Sequence, residues 1–411
     1  MTQEFYDVVK LFGAGALGTV YNPDHELDIE KIYKLSLEQG IWQTVYLALE
    51  KIADLSKYKI KFLSSVSKNI SKKEFIYDTV DELEENGIEC TYLKGVTVAR
   101  FYIEPDCRIS GDTDILVDEK ELSHARKVLK HAGFDVEENI SNMYHFEAQH
   151  PVGGILEVHK DLYQKHIRDI LFKGLLSYNE PRNCVTVDNH KIKTLGINDE
   201  LNHLTAHYIK HYITKGAGIR PLMDLMLYIK HYESQIDWEQ YNKIWKDIGF
   251  YKLIEIFKGI AVKYWNFEFN TYNAEFAEDV LGDIERGGLF GFGDEDGIDF
   301  LNVYLAETQD KNALNEYMSK NPLRSKLWRI FPNRLYLSRS GYPYAMKGGV
   351  FLFWARLVRL KRIAIEVLLK KRSVSSTANY NLRTDENESE KNRMDLMRRI
   401  GLVKNDLKEE D

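Results

Sequence analysis

Cysteine is scarce in this chain: three among 411 residues, Cys90, Cys107 and Cys184, with no CxxC spacing. That excludes a disulfide-stapled fold and a zinc ribbon, and the odd thiol points to a reducing compartment. Proline is thin too, at eight, while 44% of residues are hydrophobic, a balance that suits an ordered, helix-rich chain and confines disorder to local stretches. No apolar run is clean enough to cross a bilayer, because the longest, 348–369, is broken by Arg356, Arg359, Lys361 and Arg362. The opening MTQEFYDVVKLF lacks the basic start and apolar stretch of a secretory signal, so a cytoplasmic protein is expected. Positive charge is not in excess either. With a net charge of −7, no long nucleic acid is expected as a partner unless a local basic patch binds it.

What the chain does have is length and periodicity. At 411 residues it exceeds one compact domain, and two or three packed modules are expected. From about Asp24 to Glu85 apolar residues recur at three- and four-residue spacing, as in KEFIYDTVDELEENG, which predicts several amphipathic helices closed by Gly87. The period then changes. GIECTYLKG reads as a buried strand, VTVARFY as a short helix, GDTDILVD as a second strand and DEKELSHARKVLKHAGF as a helix with a Gly stop. MYHFEAQH and GILEVHKDL alternate around PVGG, the pattern of an antiparallel hairpin. Helical spacing returns from Asn198 to about Phe267. The stretch 286–297 reads as a loop, 344–372 as a basic amphipathic helix, and the polar run beyond Arg372 as a disordered tail with a weak helix near MDLMRRIGL. The expected fold class is α+β: a small mixed-sheet core, 87–195, between a helical block, 1–86, and a helical domain, 196–372, followed by the tail, 373–411.

Asp112 and Asp114 stand one residue apart on a predicted strand, so both side chains fall on one face. Neighbouring carboxylates repel unless a cation sits between them, and hard oxygen donors beside a triphosphate favour Mg²⁺, with Mn²⁺ as the substitute. Ile115, Leu116 and Val117 carry the strand into the core and would hold the pair at its mouth. Lys94 and Gly95 end one strand and open a helix, placing an ammonium and backbone amides where phosphate oxygens bind. Arg108, Ser110 and Gly111 lead into the aspartates and are expected, with Lys94, Gly95 and Thr97, to bind the nucleotide and its phosphates. Glu157, on the hairpin strand, is a third acid with His159 on the same face. Three carboxylates from two neighbouring strands are what two-metal phosphoryl transfer needs: two grip the metals and the third helps to activate the attacking hydroxyl. A GDTD turn that only caps a loop, and a solvated face carrying Glu157 and His159, are the plain alternatives.

LKG, then R-x-S-G-D-T-D-I-L-V, a helix ending in GF and a later LEVH strand together resemble the poorly characterised bacterial nucleotidyltransferase-like family of the polymerase-beta superfamily. The likeness runs from the N-terminal helical block to HLTAHYIKH and RPLMDL, most of the chain. It implies that Asp112 and Asp114 are the metal pair, Gly95 the glycine of the phosphate loop and Glu157 the third acid. The superfamily has Gly-Ser at that loop. Here Lys94 precedes Gly95 and Val96 follows it, so the hydroxyl contact to phosphate is missing or falls to Thr97. The implied reaction moves a nucleoside monophosphate from an NTP to an unidentified acceptor hydroxyl and releases pyrophosphate. The alternative is a nucleotide-binding or interaction protein that keeps the fold without turnover.

Other features compete for attention. GAGALG, Gly13 to Gly18, fits the dinucleotide pattern GxGxxG, but Asn22 and Pro23 stop any helix after Tyr21 and no second parallel strand follows, so a loop into the helical block is expected. His203, His207 and His211 line one helical stripe at the edge of an apolar face, where they pack and hydrogen-bond or border the nucleotide cleft. Arg220 and Asp224, one turn apart, are read as a structural ion pair. The basic segment 344–372 packs on the helical domain, lies on anionic lipid or meets another partner.

Overall fold

The structure, a computed structural model, describes residues 1–136, 144–163, 165–214, 216–288, 349–368 and 388–402. Four helices open the chain: α1 (Gln3–Leu17), α2 (Ile29–Glu38), α3 (Trp42–Leu49) and α4 (Lys59–Glu85). Next come β1 (Thr91–Leu93), α5 (Gly95–Ala99), β2 (Asp112–Leu116), α6 (Leu122–His131), β3 (Asp135–Val136), β4 (His145–His150) and β5 (Gly154–His159). After α7 (Lys165–Ile170), β6 (Asn183–Val187) and β7 (His190–Thr194), the chain turns helical in α8 (Ile197–Thr214), α9 (Arg220–Tyr232), α10 (Trp238–Ile248), α11 (Tyr251–Trp265) and α12 (Ala277–Gly287). These elements form one compact unit, and the helix Gly349–Leu368 belongs to a second. Within that helix Val350, Phe353 and Trp354 are exposed. The remainder of 344–372, and the predicted loop beyond 288, lie outside the described residues. A further helix, Glu388–Arg399, stands where the weak terminal helix was expected. No helix among the described residues is long and apolar enough to cross a membrane.

The fold is mixed α/β, with seven strands in the order β3-β4-β5-β2-β1-β7-β6. The central strand β2 runs parallel to β5 and antiparallel to β1, and β1 runs parallel to β7. Alternation along the strands divides the sheet chemically. Ile115, Leu156, Val158, Phe146 and Ala148 point to one face, where Ile76, Tyr77, Val80 and Leu83 of α4 and Ala125, Val128 and Leu129 of α6 cover them. Each fully buried aliphatic or aromatic side chain there contributes about 1.5–3 kcal/mol, so this face fixes the register. The opposite face takes every other residue: Asp112 and Asp114 on β2, Glu157 and His159 on β5, His145 and Glu147 on β4.

The predicted hairpin around PVGG is β4–β5, paired from His145↔His159 to His150↔Gly154. A second hairpin, β6–β7, escaped the sequence reading. Its turn is Asp188–Asn189, both at positive φ (49° and 68°), the conformation a two-residue primed turn requires. That dipeptide between alternating CVTV and HKIKT was the missed signal.

GAGALG is not a loop. It lies in the second half of α1 and ends at Gly18, which caps the helix in the left-handed region at φ 73°. The glycines permit close packing: a Cβ on Gly15 would strike the Thr44 carbonyl of α3, and one on Gly13 the ring of Trp265 in α11. The pattern therefore marks helix crossings rather than the strand–turn–helix that a dinucleotide site is built on.

Candidate active site

The pairing register brings the acids together. Asp114 is the direct neighbour of Glu157 across β2–β5, and Glu157 of Glu147 across β5–β4. His159 Nε2 lies 2.9 Å from Asp114 Oδ1 and 3.2 Å from Glu157 Oε2, bridging the two carboxylates. Donor atoms of Asp114, Glu157 and His159 all fall within 4.8 Å of one another, as do those of His145, Glu147 and Glu157. Asp112 sits at the strand's open end, partly exposed, and accepts a hydrogen bond from Ser110 Oγ at 3.1 Å. Oxygen and nitrogen donors this close, with Glu157 shared, fit a divalent cation.

Lys94 and His159 already face the buried carboxylate. Lys94 Nζ is 2.9 Å from Asp114 Oδ1, the same oxygen that His159 reaches. Burial would raise the Asp114 carboxyl, but Lys94 and His159 outweigh it and hold the group well below the usual carboxylate range. Burial likewise works against the charge on Lys94 and His159, yet the acids raise both. Lys94 also occupies a strained backbone, φ 50° and ψ −116°. Its carbonyl is pinned by Thr97 N at 2.9 Å, Val98 N at 3.2 Å and Thr97 Oγ1 at 2.6 Å.

Several predicted phosphate contacts turn out to be committed inside the protein. Thr97 is buried, with its hydroxyl oxygen 2.6 Å from the Lys94 carbonyl and 2.5 Å from Glu200 Oε1 of α8, so its single proton serves one of the two. Arg108 is buried against Asp224 of α9, with Nη2 at 2.6 Å and Nε at 3.2 Å, while Tyr102 donates to the same carboxylate at 2.8 Å. The expected Arg220–Asp224 pair is replaced by this arrangement, and Arg220 donates instead to the Ile109 carbonyl. Gly95 abuts the Arg108 guanidinium, since a Cβ there would come within 2.9 Å of Nη1. Gly111 has open space in front of it.

The histidine stripe reaches Lys94. His207 Nε2 is 3.2 Å from Lys94 Nζ and 3.1 Å from His211 Nε2. Burial and the neighbouring Lys94 push His207 well below its ordinary value, so it serves Lys94 as a neutral acceptor. Burial and Lys94 depress His203 to about 3, and neither of its buried ring nitrogens has a partner among the described residues.

Besides His145 and Glu147 of the second donor set, two further residues passed unnoticed in the sequence. Lys72, on α4, donates to the carbonyls of Ser110 and Gly111 at 3.1 and 3.0 Å and so anchors the loop that presents Asp112. Nothing distinguishes it from its lysine neighbours in SKNISKKEF. Glu200 reads as an ordinary acid at a helix start, and only the packing of α8 on α5 shows it buried, with its carboxyl raised to about 7 by desolvation.

The central strand of the mixed sheet carries the paired aspartates on the face opposite α4 and α6, and the chain is of the nucleotidyltransferase-like class. More particularly, the chain belongs to a family described as uncharacterised nucleotidyltransferase, whose model matches residues 25–266. Solved structures similar to part of the chain include the antibiotic-resistance factor ANT(2'')-Ia, with 11% identity and a TM-score of 0.31 over 42% of this chain and 87% of that one. An antigenic nucleotidyltransferase-like protein from Paracoccidioides brasiliensis is similar at 13% identity and a TM-score of 0.28, over 47% of this chain and 90% of that one. No curated protein matches.

Proposed function

We propose that this protein is a metal-dependent nucleotidyltransferase that moves a nucleoside monophosphate from an NTP to an acceptor hydroxyl, with release of pyrophosphate. The observation that carries the reading is the convergence of Asp114, Glu157 and His159 on the strand face that also bears Asp112. Mg²⁺ or Mn²⁺ held by Asp112, Asp114 and Glu157 would supply charge neutralisation at the transferring phosphoryl group. The chain's own groups do the rest. Lys94 brings an ammonium to the acids and is the cation available to phosphate oxygens. Glu157, less buried than Asp114 and steadied by His159, is placed to take the acceptor's proton. Lys72, by holding the 110–111 carbonyls, fixes Asp112 at the mouth.

The test is direct. Purified protein, Mg²⁺ and each labelled NTP, incubated with cell extract, should give a nucleotide-modified species by mass spectrometry that Asp112→Ala or Asp114→Ala reduces by orders of magnitude. Absence of any such species, together with no Mg²⁺-dependent NTP binding that Asp112→Ala abolishes, refutes the proposal. The Lys94–Asp114 contact favours one second reading, a nucleotide-binding protein without turnover, because the ammonium already neutralises the buried acid. Thermal melting separates them: stabilisation by NTP only with Mg²⁺ supports the enzyme, and equal stabilisation without metal supports the sensor.

A further inference from the structure

Lys94 is held in an unusual way for a phosphate-binding lysine. Its side chain is only 16% exposed, and its ammonium is bound at both ends of a short arc, to Asp114 Oδ1 at 2.9 Å and to the lone pair of His207 Nε2 at 3.2 Å. The backbone beneath it is strained, and that strain is maintained by three hydrogen bonds to its own carbonyl, two of them from Thr97, which Glu200 secures in turn. A chain does not keep a non-glycine residue at φ 50° and ψ −116° unless the surroundings over-determine it. What the strain achieves is position: the ammonium lies on the Asp114 oxygen that His159 also contacts, within the set that would hold a divalent ion.

An ammonium and a divalent ion cannot both sit on that oxygen without strong mutual repulsion in so buried a place. We propose that Lys94 is a cation lock that makes metal binding conditional on nucleotide. With no nucleotide, Lys94 neutralises Asp114 and keeps a divalent ion weakly bound. A triphosphate gives the ammonium a competing polyanion, and Asp114 is released to the metal. The inference rests on the nucleotidyltransferase reading above and adds an order to it: nucleotide and metal bind with positive coupling, and Lys94 carries the coupling. Thermodynamic reciprocity requires the metal to tighten nucleotide binding by the same factor.

The experiment measures Mn²⁺ binding by electron paramagnetic resonance, alone and with α,β-methylene analogues of the four ribonucleoside triphosphates. Wild type should bind Mn²⁺ at least tenfold more tightly with its preferred analogue than without. Lys94→Met should bind Mn²⁺ alone at least tenfold more tightly than wild type and lose most of the enhancement by nucleotide. Lys94→Arg, which keeps the charge, should leave Mn²⁺ alone weakly bound. Should Lys94→Met fail to fold, His207→Leu removes one of the two holds on the ammonium and should tighten Mn²⁺ binding severalfold. The lock is overturned if wild type binds Mn²⁺ equally well with and without analogue, or if neither substitution changes the affinity for Mn²⁺ alone. Failure of Mn²⁺ to bind under any condition, analogue included, overturns both this inference and the catalytic reading, whereas tight uncoupled binding overturns the lock alone.

Discussion

The buried pair Arg108–Asp224 gives the sharpest test of how this site is built. Each side chain is 6% exposed, and the guanidinium meets the carboxylate through two hydrogen bonds, with Tyr102 as a third donor. Burial opposes the charge on Arg108, but Asp224 outweighs it and raises the guanidinium above its ordinary value, so it stays charged. Asp224→Asn preserves shape and leaves that charge buried without its counter-ion, a change that costs about 3–5 kcal/mol. At roughly 1.5 °C per kcal/mol for a unit of this size, the melting temperature should fall by about 5–8 °C. Calorimetry or circular dichroism reads the shift. The double variant Arg108→Met/Asp224→Leu removes both charges and should recover most of the loss, because an apolar pair of similar volume is well tolerated where a lone charge is not. It should also keep nucleotide-dependent stabilisation if Arg108 ties α9 to the acid-bearing loop rather than binding phosphate. A melting temperature for Asp224→Asn within about 2 °C of wild type would refute the electrostatic reasoning, and a well-folded double variant blind to NTP would return Arg108 to the phosphate role its sequence position suggested.

Further outcomes follow from the same geometry. Glu200, raised to about 7 from the ordinary 4.5, keeps a proton in the folded state that the unfolded chain gives up earlier. Stability should therefore fall as pH rises from about 4.5 to 7, by about 3 kcal/mol, and stay low above; Glu200→Gln should flatten that part of a urea-denaturation profile, and an unchanged slope would count against it. Asp114 shows the opposite sign: its lowered carboxyl contributes stability above the ordinary 3.8 and loses it as pH falls below, so the stability gap between wild type and Asp114→Asn should close on acidification. Gly15→Ala must part α1 from α3 at the Thr44 carbonyl and should cost about 1–3 kcal/mol of unfolding free energy by urea denaturation, with no effect on nucleotide binding.

Some of this was written locally in the chain. The period-two pattern of GDTDILVD and of the hairpin around PVGG fixes which residues share a strand face, so Asp112 with Asp114, and Glu157 with His159, could be paired from spacing alone. The change from helical to strand period near Gly87 marked where the sheet begins, and the helical spacing after Asn198 marked where it ends. Glycine was read less well. GAGALG has the spacing of a phosphate loop, and only the partners Thr44 and Trp265 show that its glycines serve helix contact.

Partnership was the part that spacing could not supply. Arg108 and Thr97 look available to a ligand in sequence, but Asp224 and Glu200, each more than 100 residues away, occupy them in the folded chain. Lys72 becomes an anchor only because α4 crosses the loop before β2. Sequence determined which side chains alternate onto the acidic face, since that follows from backbone geometry over a few residues. Tertiary structure decided which of the charges there are spent and which are free to act, because a charge is neutralised by whatever the fold brings within a few ångströms of it, regardless of distance along the chain.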